Sequence, residues 1–146
     1  MHILGAIVAG IVGTIVMTMV IDINMPNTDI VDMLGSMFYS EGNRILGTLL
    51  HIMIGTTFAI IYVVLWNAGI GSASLLWGAV FGAIHWLIAG AMLGGLTIVH
   101  AGVKAGTMNA PGIYMRHNNG IMAFADGLLG HIIFGIAVSI IYGLFV

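Results

Sequence analysis

Residues 49–62 read LLHIMIGTTFAIIY, and residues 128–142 read LLGHIIFGIAVSIIY. Neither stretch contains Asp, Glu, Lys or Arg, yet each carries one histidine, His51 or His131, among aliphatic neighbours. A hydrocarbon core about 30 Å thick takes roughly 20 apolar helical residues. Four stretches reach that length, at about 3–21, 45–66, 75–99 and 127–146. Of the 146 residues, 60% are apolar and 5% charged, with a mean hydropathy of +1.15, whereas a soluble domain is about 25% charged. The sequence therefore predicts an all-α integral membrane protein, a single transmembrane domain over 1–146 folded as a four-helix bundle.

Between these spans lie three connections. NAGIGSAS at 67–74 is short and turn-rich, so spans two and three form an antiparallel hairpin. DINMPNTDIVDMLGSMFYSEGNR at 22–44 holds a short amphipathic pattern. There Asp29 and Asp32 occupy a first turn, and Ile30, Leu34, Met37 and Phe38 share one side, which predicts a helix lying at the membrane interface. HAGVKAGTMNAPGIYMRHNNGIMAFAD at 100–126 is interrupted by Pro111 and by the HNNG turn at 117–120. All three basic residues, Arg44, Lys104 and Arg116, flank the two long connections. The positive-inside rule makes that side cytoplasmic and the termini external. Met1 leads almost directly into apolar sequence without a basic leader region, so the first segment is read as retained.

The pattern GxLxHxxxGxxx(A/S)IIY occurs twice. Gly47, Leu49, His51, Gly55, Ala59 and Tyr62 recur as Gly127, Leu129, His131, Gly135, Ser139 and Tyr142. The preceding spans match through GAIVAG at 5–10 and GAVFGA at 78–83, an offset of 73 rather than 80. The expectation is a duplicated two-helix unit, with halves of about 1–66 and 75–146 related by a pseudo-two-fold axis along the membrane normal. At about 100° per residue, positions 51, 55, 59 and 62 fall within about 80° of one another. The histidine, two small residues and the tyrosine thus share a packing face, with Gly55, Gly135, Tyr62 and Tyr142 as its helix-packing residues. Spans one and three carry stripes of their own, Gly5, Ala9 and Gly13 against Gly78, Gly82, Gly90 and Gly94, with Trp86 in the second. Small residues four apart let backbones approach closely, so helices two and four are expected to meet near Gly55 and Gly135.

Several function classes drop out. With eight residues among Lys, Arg, Asp and Glu there is no basic footprint for nucleic acid. The absence of cysteine removes disulfides, thiolate ligands and cysteine nucleophiles. No GKS/T follows the glycines, no HExxH occurs, and no nucleophile elbow or paired intramembrane carboxylate is present, so the chain is not expected to be an enzyme on its own. What remains is six histidines and eleven methionines, side chains that suit copper or haem iron. Met17, Met19, Met53 and Met92 read as core filling. His51 and His131 are the metal-ligand candidates because they occupy matching positions, and they are expected to face each other inside the bundle. Their alternative role is an interhelical hydrogen bond of about 1 kcal/mol. His85 is a further candidate within span three, at a depth several ångströms from His51. His100 is another, in the second long connection with His117, Met108 and Met115. If that connection folds onto the first, with its Asp22, Met25, Asp29, Asp32, Met33 and Met37, the two form a mixed cap over the histidines.

MPNTDIVDMLGSMF at 25–38, LLHIMIGTTFAIIY, GAVFGAIHWLIAGAMLG at 78–94 and GHIIFGIAVSIIYG at 130–143 together resemble a family of small four-span prokaryotic membrane proteins of unknown function, over nearly the whole chain. The resemblance implies a helical bundle in the prokaryotic cytoplasmic (inner) membrane and assigns no chemistry. Members usually carry basic residues before the first span, implying a cytoplasmic amino terminus, where this chain has His2. The leading functional expectation is a small accessory or structural subunit of a larger membrane complex, such as a metal-dependent oxidase or respiratory assembly. Its partners would be lipid and other membrane subunits or copies of itself. One alternative is a copper- or haem-binding protein using His51 and His131. The other is a conduit for a small solute or ion, although the spans lack the midplane charges that transport sites usually show.

Overall fold

Asn43 and Ser74 set the starts of two long helices, because their side-chain oxygens accept the backbone N–H groups of Leu46 and Trp77. Those amides have no partner within a first turn. The computed structural model describes residues 1–24 and 30–146, apart from the side chains of residues 118 and 119; the expectations for Met25 and Asp29 lie outside the described residues. The α-helices in chain order are α1 Ile3–Asn24, α2 Ile30–Gly35, α3 Arg44–Asn67, α4 Leu75–Leu93, α5 Ala101–Ala105 and α6 Arg116–Gly143. Short 3-10 turns at Leu96–Ile98 and Ile113–Met115 lie between them. The protein is 78% helix with no strand among the described residues. Four segments are long and apolar enough to cross a membrane: Ile3–Asn24, Arg44–Asn67, Leu75–Ile98 and Gly120–Gly143.

Each expected span falls on one of these helices, and the differences sit at their ends. Helix α6 begins at Arg116 rather than near 127, so the break signalled by HNNG survives only as the left-handed φ of Gly120, 57°. The link between α3 and α4 turns on Gly69 and Gly71, whose φ values of 85° and 81° are costly for any residue with a Cβ.

The short α2 packs onto the bundle through its apolar residues. Val31, Met33, Leu34 and Gly35 are buried, while Phe38, beyond the helix end, is 61% exposed. The glycines decide this. Gly47 of α3 sits against the Val31 carbonyl, and Gly35 against the Asn43 backbone, too close for a Cβ at either position. Helix α2 is thereby drawn down onto α3 as a roof. The second long connection is tied to it through Ala101 N–H to Met37 O (2.9 Å) and Gly102 N–H to Ser36 O (3.0 Å). Thr107 adds a hydroxyl bond to Ser40 O (2.6 Å). The two connections do fold together.

Three interfaces of the bundle are backbone-close: α1 with α3, α1 with α6, and α4 with α6. Gly10 meets Thr56 and Ala59, Gly13 meets Phe134 and Val138, Gly78 meets Gly135, and Gly82 meets the His131 carbonyl. The expected contact of helices two and four at Gly55 and Gly135 is not made. Gly55 of α3 meets Thr14 of α1, and Gly135 of α6 meets Gly78 of α4. The two helix pairs also differ in register. With the offset of 73, Thr14 corresponds to Leu87, yet Gly135 packs on Gly78. The contact that the offset of 73 pairs with Gly55–Thr14 is therefore not the one that Gly135 makes. Helices α3 and α4 stand apart and meet through large rings, among them Tyr62 on Phe81 and Phe58 on His85.

Candidate functional site: an intramembrane histidine cavity

The close packing of α4 on α6 brings together side chains that the sequence separates. Gly82 lies against the His131 backbone, which puts His85 one turn further along at the level of the His131 ring. The two imidazoles meet edge to face, with centroids 4.7 Å apart and planes at 89°. His51 joins them from α3, and all three histidines line one cavity of about 120 Å³. The thioethers of Met17, Met33 and Met115 share its wall, as does Trp86. His51, His85 and His131 are 7%, 4% and 8% exposed, so each faces the interior rather than lipid.

The tautomers follow from the partners. The Thr18 hydroxyl, which has one proton, donates it to Thr14 O at 2.8 Å. Only its lone pairs are left for His51 Nδ1 at 3.2 Å, so the imidazole donates from Nδ1 and its neutral ring keeps a lone pair on Nε2. His131 Nδ1 is 2.8 Å from Gly127 O. A carbonyl only accepts, so this ring too carries its proton on Nδ1. His85 Nδ1 faces the Tyr62 hydroxyl at 3.2 Å, and Phe58 stacks on its ring at 3.6 Å and 18°. Among the described residues no Nε2 of the three makes a hydrogen bond, and none is among the sealed, partnerless atoms of the interior. Those nitrogens are what the site offers.

The expectation that His51 and His131 face each other is met only in that both line this cavity. The ring packed on His131 is that of His85, expected several ångströms from the level of His51. His100 belongs elsewhere. It is fully buried, its Nε2 donates to Met33 O (2.8 Å), and its Nδ1 accepts the Val103 N–H at the start of α5 (3.2 Å). Nε2 therefore ties the second long connection to the first, while Nδ1 caps α5. His117 Nδ1 faces Ala110 O at 3.2 Å and is exposed. Of the expected cap, Met33 and Met115 reach the cavity, Met108 Sδ accepts from the Ser36 hydroxyl (3.4 Å), and Asp22 is exposed. Among the described residues no group of three His, Asp or Glu side chains is placed to hold a metal ion.

Sequence reading missed Thr18, whose signal is the run of hydroxyls four apart: Thr14 bonds Gly10 O (2.7 Å) and Thr18 bonds Thr14 O. Met115, expected in the cap over the histidines, does reach the cavity wall, by a turn for which no local signal exists. Met115 is turned inward by two successive left-handed residues, Tyr114 and Met115 (φ 53° and 56°), a conformation that costs about 1–3 kcal/mol per residue and persists where packing demands it. The Tyr114 hydroxyl, bonded to Leu87 O (3.1 Å), pins that turn. The repeated tyrosines do different work: Tyr62 holds His85, while the Tyr142 hydroxyl accepts the His2 N–H (3.1 Å) at the start of α1. Comparison with known proteins finds no matching family model, no matching curated protein and no matching solved structure.

Proposed function

We propose that this protein is a small accessory subunit of a larger membrane assembly, contributing an intramembrane binding cavity rather than catalysis of its own. The observation that carries this reading is the convergence of His51, His85 and His131, from three helices, on one apolar cavity. Ionisable side chains within spans are expensive and usually functional. Here three of them keep one nitrogen each unused by the protein, which a purely structural hydrogen-bond network would not require. The small extramembrane portion, two connections folded on each other, supports a role beside partners. On the motifs quoted above we place the chain with small four-span proteins of the prokaryotic cytoplasmic membrane. We read its halves as a duplicated two-helix unit whose second copy has slipped in register.

Native electrophoresis with mass spectrometry, after gentle extraction of tagged protein from its own membrane, tests the subunit role. A reproducible stoichiometric membrane partner is expected. Migration as the lone chain overturns it.

A second reading is favoured by the soft donors: Met17, Met33 and Met115 together with imidazole nitrogens suit copper(I). Metal analysis of protein purified after copper loading, compared with His51→Ala and His131→Ala, separates it from the first. Haem gains no such support. A cavity of about 120 Å³ is comparable to an engineered cavity of roughly 150 Å³ that holds a single benzene ring, so a porphyrin has no room.

A further inference from the structure

The mouth of the cavity indicates where its occupant comes from. It lies on the seam between α3 and α4. Toward the short link that seam is closed by stacked rings, Phe58, Tyr62 and Trp66 of α3 against Phe81 and His85 of α4. Toward the cap no ring bridges it among the described residues, and the wall residues there reach the outer surface: Ile54 is 40% exposed, and Ala89 and Leu93 are half-buried. From the side of the long connections the cavity is roofed by Met33 and Leu34 of α2, 4% and 6% exposed. The open side is the flank between two spans, and the closed side is the end under the long connections.

Size and chemistry then select the class. An apolar cavity of roughly 150 Å³ accommodates one benzene ring. At about 120 Å³ with one open flank, this one accommodates a six-membered ring whose substituents extend into the bilayer. Thioethers and an indole are polarisable surfaces suited to an aromatic face. His51 and His131 have committed Nδ1–H to Thr18 and Gly127, so each offers Nε2 as an acceptor. The occupant must therefore bring donors. We propose that the cavity binds a lipid-borne hydroxylated aromatic ring of the hydroquinone type, entering between α3 and α4 and donating its hydroxyls to the free Nε2 nitrogens of His51 and His131. This rests on the binding-cavity reading above and deepens it.

The test uses the full chain in phosphatidylcholine nanodiscs, titrated calorimetrically with 2-decylbenzene-1,4-diol, with its dimethyl ether and with tail-free benzene-1,4-diol. The decyl diol is expected to bind saturably. The ether, which has the ring and the tail but no donor, is expected to bind at least about tenfold more weakly, the worth of one hydrogen bond. The tail-free diol should also bind more weakly. Ala89→Phe, which fills the mouth from a half-buried position, should abolish diol binding with the melting temperature retained, and His51→Leu should weaken it. Equal binding of diol and ether overturns the hydroxyl assignment while the cavity remains a binding site. Equal binding of both diols overturns lipid delivery, and undiminished binding by Ala89→Phe overturns the location. No binding of the diol to folded protein overturns the inference as a whole, and the subunit reading is then judged separately by its native complex.

Discussion

Tyr62 Oη lies 3.2 Å from His85 Nδ1, a polar link across the seam where α3 and α4 otherwise meet through rings. Tyr62 also stacks on Phe81 at 5.1 Å, and Phe58 covers the other bonding partner, His85. A backbone-close interface, such as α4 with α6, needs glycines on both sides. This seam instead uses large side chains, and that leaves space for a cavity further along it.

Replacing Tyr62 with Phe removes a buried hydroxyl and leaves His85 Nδ1 without its partner. The expected cost is about 1–3 kcal/mol, read as a lower melting temperature in detergent. Unchanged melting would mean that the seam is held by ring packing alone.

Gly135 has no space for a Cβ, because the Gly78 carbonyl occupies it, whereas Gly143 has nothing within 4 Å. Gly135→Ala should therefore destabilise by about 1–3 kcal/mol, and Gly143→Ala should be neutral or slightly stabilising. Similar melting of the two variants would contradict the α4–α6 packing.

Removing the Thr18 hydroxyl, in Thr18→Val, takes away the acceptor that fixes the His51 tautomer. Nitrogen chemical shifts of the His51 ring should move from the Nδ1–H form toward a mixture, with the His131 shifts unaltered because Gly127 O still fixes that ring. A His51 spectrum insensitive to the substitution would refute the donor assignment.

His100→Ala deletes both the bond to Met33 O and the cap at Val103. A fully buried side chain bonded at both nitrogens should cost about 1–3 kcal/mol when removed. The loss should be local: faster hydrogen exchange in residues 30–43 and 101–115, and unchanged exchange in the four long helices. Faster exchange throughout would mean that the roof is needed for the whole bundle.

The number, length and apolarity of the four spans were legible in the sequence, because a bilayer imposes a fixed helix length and excludes charge. The small-residue stripes were legible too, since a period near four is a property of one helix by itself. Which stripe meets which was not. Gly55 and Gly135 match in sequence but meet Thr14 and Gly78, because register between helices is set by side chains on both partners. The packing of α4 on α6, invisible in either helix alone, carries His85 to His131 and makes one site from three imidazoles. Met115 shows the limit most plainly: its place in the cavity wall depends on a left-handed turn that neither Tyr114 nor Met115 prefers, held by a bond from the Tyr114 hydroxyl to Leu87 O on another helix. Local sequence determined the elements and which of them are long and apolar enough to cross a membrane. The cavity arose only when two helices of fixed length settled in different registers against their neighbours, a choice made by close contacts across the bundle.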